Sequence, residues 1–116
     1  MSENQISQKT VRSILQSGLT LHLMDAKGVE PKLLNYKHKS LPERNWKLLS
    51  ENGETVALAE WAEWVFGGGK ADIYGFFIKD KDGDVLWKEK FKGGPCEVLR
   101  KDDKLRIRAK MTFGGE

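Results

Sequence analysis

Hydrophobic and polar residues alternate along much of the chain, a pattern typical of β-strands with one buried face. The segment Leu19–Met24 has leucines at alternate positions, and Leu105–Phe113 has apolar residues at alternate positions over its whole length. Asn52-Gly53 favours a tight hairpin turn. The sequence therefore predicts short antiparallel strands joined by turns. Other strands predicted in this way are Trp46–Leu49, Val85–Phe91 and Cys96–Leu99.

Two further segments depart from simple alternation. Asp72–Lys79 is apolar on both faces, which predicts a central or interface strand. Thr55–Phe66 fits either a helix, which its alanine, leucine and glutamate favour, or a strand, which the preceding Asn-Gly turn favours. As a strand it places Trp61 opposite Trp64, so Trp64 faces the core and Trp61 becomes the candidate for a second surface.

Residues 1–18 form a separate N-terminal segment. Ile6 and Val11 begin a thin apolar stripe at helical spacing, and Gly18 is a suitable C-cap. So short a helix is marginal unless it docks, so we expect a helix or an arm that orders against a neighbour. Residues 19–116 then form one all-β domain, a single antiparallel β-sandwich or partly open barrel of about six to eight short strands.

The composition is that of one globular domain, with 116 residues, 39% of them hydrophobic and 32% charged. The longest mostly apolar stretch, Thr55–Phe66, carries two glutamates and is shorter than the roughly 20 residues of a membrane helix. The N-terminus lacks the basic start and apolar core of a secretory signal, which predicts synthesis in the cytoplasm. The single cysteine, Cys96, cannot form an internal disulfide.

The residues that could carry chemistry do not form a known motif. His22 and His38 are the only histidines, and no cysteine or carboxylate cluster stands at metal-ligand spacing from them. Asp80–Asp84 resembles part of a calcium loop, but its glycine is misplaced and Phe91 occupies the position of the final acidic ligand. We therefore expect no enzymatic activity, no catalytic residues, no cofactor and no metal.

Positive charge is concentrated in the last predicted strand. The net charge is +3, and Arg106, Arg108 and Lys110 alternate with apolar residues, so they would share the outward face. Such a row could face an acidic partner, although a solvated strand face explains the same residues. The neighbouring aromatic residues point inward in this interpretation, so we do not expect nucleic acid as a partner.

Three segments of the C-terminal half together form a recognisable pattern. They are Ile73–Asp80 (IYGFFIKD), Leu86–Phe91 (LWKEKF) and Gly94-Pro95. This resembles a group of small tailed-bacteriophage virion proteins with the pattern I-x-G-[YF]-[YF]-V-x-D, L-L-W-x-E-x-F and G-P. An LHLM strand at Leu21–Met24 and a tryptophan at Trp46 also fit, so the resemblance covers about residues 19–112.

The resemblance implies a virion structural role rather than catalysis, and it implies that Thr55–Phe66 is a strand. Our first hypothesis is a capsid cement or decoration protein, which binds the major capsid protein or another virion protein as a homo-oligomer or in many copies. Lys79 stands where an apolar or small residue is usual in this group, and the last strand is more basic than expected, so the docking surface does not follow from the resemblance. Candidate interface residues are Ile6, Val11, Trp61, Tyr74, Phe76, Arg106, Arg108 and Lys110.

Two alternatives stay open, and neither involves a membrane. The first is a tail or fibre component that contacts other tail proteins or the host surface, which a low copy number per particle would distinguish from cement. The second is a cellular module that binds an acidic ligand through Arg106, Arg108 and Lys110, which predicts strongly salt-dependent binding.

Overall fold

Strands account for most of the ordered structure, as the alternation predicts. The computed structural model describes residues 8–114, and within that range one α-helix, α1 (Gln8–Leu15), precedes eleven strands, with a short 3₁₀ helix at Glu43–Asn45. All strand pairs are antiparallel and form no closed barrel, so the all-β prediction with a short N-terminal helix is confirmed. The strands are β1 (Leu19–Met24), β2 (Lys39–Leu41), β3 (Trp46–Glu51), β4 (Glu54–Ala59), β5 (Ala62–Val65), β6 (Ala71–Ile73), β7 (Gly75–Lys79), β8 (Val85–Lys90), β9 (Cys96–Val98), β10 (Lys104–Ile107) and β11 (Lys110–Phe113).

The first sheet has the strand order β2-β1-β7-β8. Strand β7 pairs on both sides, with β1 and with β8, and its first four residues are buried. The prediction of a central strand in Asp72–Lys79 is therefore confirmed for this part of the segment. The predicted strand also contains a break at Tyr74, because its first part, β6, pairs with β9 instead.

The second layer contains the segment that was ambiguous between helix and strand. Thr55–Phe66 is extended, which confirms the strand prediction, but it is divided into β4 and β5 at Glu60 and Trp61. Strand β4 pairs with β11, and β5 pairs with β10. Three residues, 59–61, stand opposite two, 108 and 109, between the two pairings, which is the arrangement of a β-bulge. The backbone N–H of Ala59 donates to the carbonyl of Ala109 across it.

The bulge changes which positions face the core. Ala57 and Ala59 belong to the main hydrophobic core before it, whereas Ala62 and Trp64 do so after it, so the core-facing positions change from odd to even. Val56 is also buried, but it is not part of this core. Strict alternation would place Glu60 on the same face as Ala62 and Trp64, whereas the bulge leaves Glu60 exposed. In Leu105–Phe113, which pairs with this segment, the odd-numbered positions face inward throughout, although it too is divided into two strands.

Helix α1 docks on the body of the same chain. Val11 is 0% exposed and Leu15 is also buried, and both belong to the main hydrophobic core. The expectation that Val11 contacts a neighbouring protein is therefore wrong, because its side chain is already covered, and Ile6 lies outside the described residues. No helix among residues 8–114 has the length and apolar character required to cross a bilayer.

Candidate functional site

A loop covers the outer face of β1 and buries a histidine there. After β1 the chain turns at Asp25, whose carboxylate Oδ1 accepts the N–H groups of Lys27 at 2.8 Å and Val29 at 3.2 Å. The segment that follows runs back over the strand. His22 is consequently only 5% exposed. Alternation in Leu19–Met24 places His22 on the face opposite the leucines, where a polar strand face is expected, but both faces of β1 are covered at this point.

The covered histidine belongs to a hydrogen-bonded chain that joins β1 to the loop. His22 Nδ1 lies 2.7 Å from Glu30 Oε1, and Thr20 Oγ1 lies 2.8 Å from His22 Nε2. The Tyr36 hydroxyl donates to the same Glu30 oxygen at 2.5 Å and accepts the backbone N–H of Leu23 at 3.0 Å. All of these polar atoms have partners, so the buried imidazole carries no unpaired-group penalty, and the Glu30 side chain remains 38% exposed.

Two rings hold the imidazole plane in place. Phe77 of β7 stacks on His22 with ring centroids 4.9 Å apart and planes 5° apart. His38 stacks with its centroid 4.7 Å away and its plane at 25°. His22 is therefore clamped between a buried phenylalanine and an exposed histidine.

Burial and hydrogen bonding set the charges in the cluster. Burial lowers the pKa of His22 and outweighs the opposing effect of its hydrogen bond to Glu30, so this imidazole is neutral at pH 7. Burial alone would raise the pKa of Glu30, but the hydrogen bonds from Tyr36 and His22 lower it overall. Burial and the bond to Glu30 raise the pKa of Tyr36 above its ordinary value. Neutral His22 therefore donates its Nδ1–H to an ionised carboxylate.

The cluster also brings together side chains of the types that bind metal ions. One ligand atom each from His22, Glu30 and His38 lies within 4.8 Å of the others. Sequence spacing predicts no carboxylate cluster beside the histidines, whereas the structure brings the single carboxylate of Glu30 within 4.8 Å of a ligand atom of each. The sequence contained one usable signal, the turn at Asp25-Ala26-Lys27-Gly28, because a tight turn after β1 returns the chain alongside the residues that precede it. The approach of His38 depends on the later course of the loop, which has no local sequence signature.

The order hydroxyl, imidazole and carboxylate in Thr20, His22 and Glu30 is that of a nucleophile relay. A relay needs space for a substrate beside the hydroxyl. Two open pockets of about 430 Å³ each border the cluster at Glu30, and Thr20 lines neither of them. One of the two is lined by Glu30, Pro31, Tyr36, Lys37 and His38.

A second surface lies at the bulge between β4 and β5. Trp61 is 56% exposed, as expected from its position opposite Trp64. The Arg106 guanidinium carbon lies 5.0 Å from the centre of the Trp61 ring, and Arg106 Nε lies 3.7 Å from Glu63 Oε1. Val65 is also exposed on this side. We call Trp61, Glu63, Val65 and Arg106 the Trp61 face.

The other predicted interface residues make separate contacts. Lys110 lies in β11, where its Nζ approaches Glu51 Oε1 at 3.6 Å. Arg108 Nε donates to the Ala59 carbonyl at 2.8 Å and so closes the bulge. Tyr74 is half-buried, and Phe76 is a core residue of β7, which corrects its assignment to a surface.

Comparison with protein-family models, with curated proteins and with solved structures finds no match to this chain.

Proposed function

We propose that this chain is a structural protein of a tailed-bacteriophage particle, bound in many copies to the major capsid protein as a cement or decoration protein. The virion setting rests on the resemblance described above. Its most specific segment, Ile73–Pro95, coincides with the end of β6, the central strand β7, the edge strand β8 and the turn after it.

The observation that carries the docking proposal is the exposure of Trp61 beside Arg106. Tryptophan and arginine, together with tyrosine, are enriched among the residues that dominate binding energy at protein interfaces. A tryptophan left more than half exposed leaves a large apolar area in contact with water, and burial of that area against a partner would be favourable.

The bulge gives this pair a fixed position. An extra residue in a strand bends the strand and re-aims the adjacent side chain, so Trp61 projects while its neighbours on either side remain paired. Arg108 fastens the bulge through the Ala59 carbonyl. A preorganised anchor loses little conformational freedom on docking, which favours affinity. Repeated over many copies, even a modest contact becomes effective.

The test is reconstitution of purified chain onto particles that lack it, with Trp61→Ala as the variant. We expect apparent affinity to fall about 30-fold, since loss of a dominant interface residue costs about 2 kcal/mol or more. Val85→Ala is the matched control, because Val85 is 48% exposed on β8, which lies at the edge of the first sheet and pairs with neither β4 nor β5. It should bind like the original chain.

Two results would contradict this proposal. Equal binding of the Trp61 and Val85 variants would remove the Trp61 face as the docking surface. The second result is binding of the chain to acidic polymers through Arg106, Arg108 and Lys110 instead. Such binding, if salt abolished it, would favour the cellular module that binds an acidic ligand.

A further inference from the structure

We propose that His22, Glu30 and His38 form a binding site for one divalent transition-metal ion, with Zn²⁺ as the probe. This site lies on the outer face of β1 and is independent of the Trp61 face. The donor set is two imidazole nitrogens and one carboxylate oxygen, which suits ions of borderline softness and leaves a position for water.

The distances are close to those a metal needs. Ligand atoms around a tetrahedral zinc ion stand about 3.3 Å apart, given metal–ligand bonds of about 2.0–2.1 Å. His22 Nδ1 and Glu30 Oε1 are now 2.7 Å apart, and the three ligand atoms are all within 4.8 Å of one another. The first pair must therefore open slightly and the third ligand must move inward by roughly 1.5 Å.

His38 supplies that movement. Its ring now stacks on His22, and stacked rings cannot both direct their in-plane lone pairs at one ion. His38 is exposed, so its side chain can rotate off the His22 ring towards the carboxylate without disturbing the core. His22 and Glu30 are the fixed part of the site, and His38 is the part that closes on the ion.

The surroundings resemble the outer shell of a metal centre. A ligating histidine usually donates its second N–H to an oxygen, and a ligating carboxylate is itself hydrogen-bonded. Thr20 Oγ1 at 2.8 Å is placed to accept from His22 Nε2, and Tyr36 donates to Glu30. When the ion binds the Nδ1 lone pair, the single proton of the neutral imidazole is carried on Nε2 instead of Nδ1, and the Thr20 hydroxyl rotates to accept it as a hydrogen bond.

Nearby positive charge limits the affinity. The ammonium of Lys79 lies 5.6 Å from the Phe77 ring centre, on the aromatic that supports His22, and Lys37 and Lys39 flank His38 in the chain. Glu30 is the one carboxylate in the ligand set. We therefore expect a saturable site that binds one ion and holds the loop against β1.

The experiment uses full-length chain without an affinity tag and with Cys96→Ser, so that no added histidine or thiol binds the ion. Zn²⁺ is titrated by calorimetry and by thermal unfolding, and Co²⁺ reports the geometry through its visible absorption. We expect one ion per chain, an unfolding midpoint that rises with Zn²⁺ concentration, and affinity about tenfold or more lower in His38→Ala and in Glu30→Gln. Lys37→Ala, next to His38, is the matched control and should bind at least as well as the parent.

A variant-free measurement guards against misfolded variants. The chain has two histidines, so NMR shows two sets of imidazole signals. Both sets should shift together as Zn²⁺ is added and stop at one equivalent. Absence of saturable binding, a shift of one histidine alone, or equal affinity of folded His38→Ala and the parent would each overturn the proposal.

Discussion

Replacing Gly75 with alanine would disturb the central strand at its tightest contact. Gly75 begins β7 and pairs with Met24 of β1 and Lys90 of β8. An added Cβ would stand 2.7 Å from the Met24 methyl carbon and 2.8 Å from the Lys90 Cα, and the Glu89 carbonyl oxygen would be closer still. The methionine can move aside, but the two β8 backbone atoms cannot move without shifting the strand.

The expected cost follows from that geometry. Overpacking a filled interior usually destabilises a protein by about 1–3 kcal/mol. Because the obstruction here is backbone on a paired strand, we expect the upper end, about 3 kcal/mol. In a domain of this size that is a large part of the usual 5–15 kcal/mol, and it corresponds to a fall of about 10 °C in Tm.

Thermal and urea unfolding, followed by tryptophan fluorescence, measure this effect. Gly93→Ala is the control, since a methyl group added there would meet no atom within 4 Å beyond its chain neighbours, and its φ is outside the left-handed region. The control should change the free energy of unfolding by less than about 0.5 kcal/mol. If Gly75→Ala were as stable as Gly93→Ala, the close approach of β7 and β8 described above would be wrong.

Two further changes test other parts of the fold. The indole N–H of Trp64 donates to the Lys37 carbonyl at 2.7 Å, and its loss in Trp64→Phe should lower the free energy of unfolding by about 2 kcal/mol, as measured in urea. Lys37→Ala keeps this carbonyl and is the control, so an equal or smaller loss in Trp64→Phe would contradict the role of the bond. The Asp103 carboxylate accepts the N–H groups of Leu99 and Arg100, and these bonds lower the pKa of Asp103 below its ordinary 3.8. The stabilisation by the ionised carboxylate is thus complete above pH 3.8 and is lost as the pH falls through the lower folded-state pKa. Acid should therefore destabilise the parent more than Asp103→Ala. If the stability of the two proteins fell in parallel with pH, this role of Asp103 would be refuted.

The sequence was sufficient for features that depend on neighbours along the chain. Asn52 and Gly53 both have positive φ and join β3 to β4, as the dipeptide predicts. Alternation identified the buried face of Leu105–Phe113 correctly. It failed within Thr55–Phe66, because a one-residue bulge reverses the buried face and leaves no signal in composition.

Features that depend on distant segments were less accessible. The polar character of His22 concealed a buried site, since the loop that covers it lies outside the strand pattern. Gly75 shows the converse. It is the glycine of the I-x-G segment in the phage-like pattern, and its physical reason, the backbone of β8, became visible only with the strand pairing.

The most direct test of the proposed function is the number of copies of this chain in purified phage particles, measured by quantitative mass spectrometry against the major capsid protein. A cement or decoration role predicts a simple fraction of the capsid-protein copy number. A few copies per particle would move the chain to the tail or a vertex. Absence from purified particles would contradict the virion role.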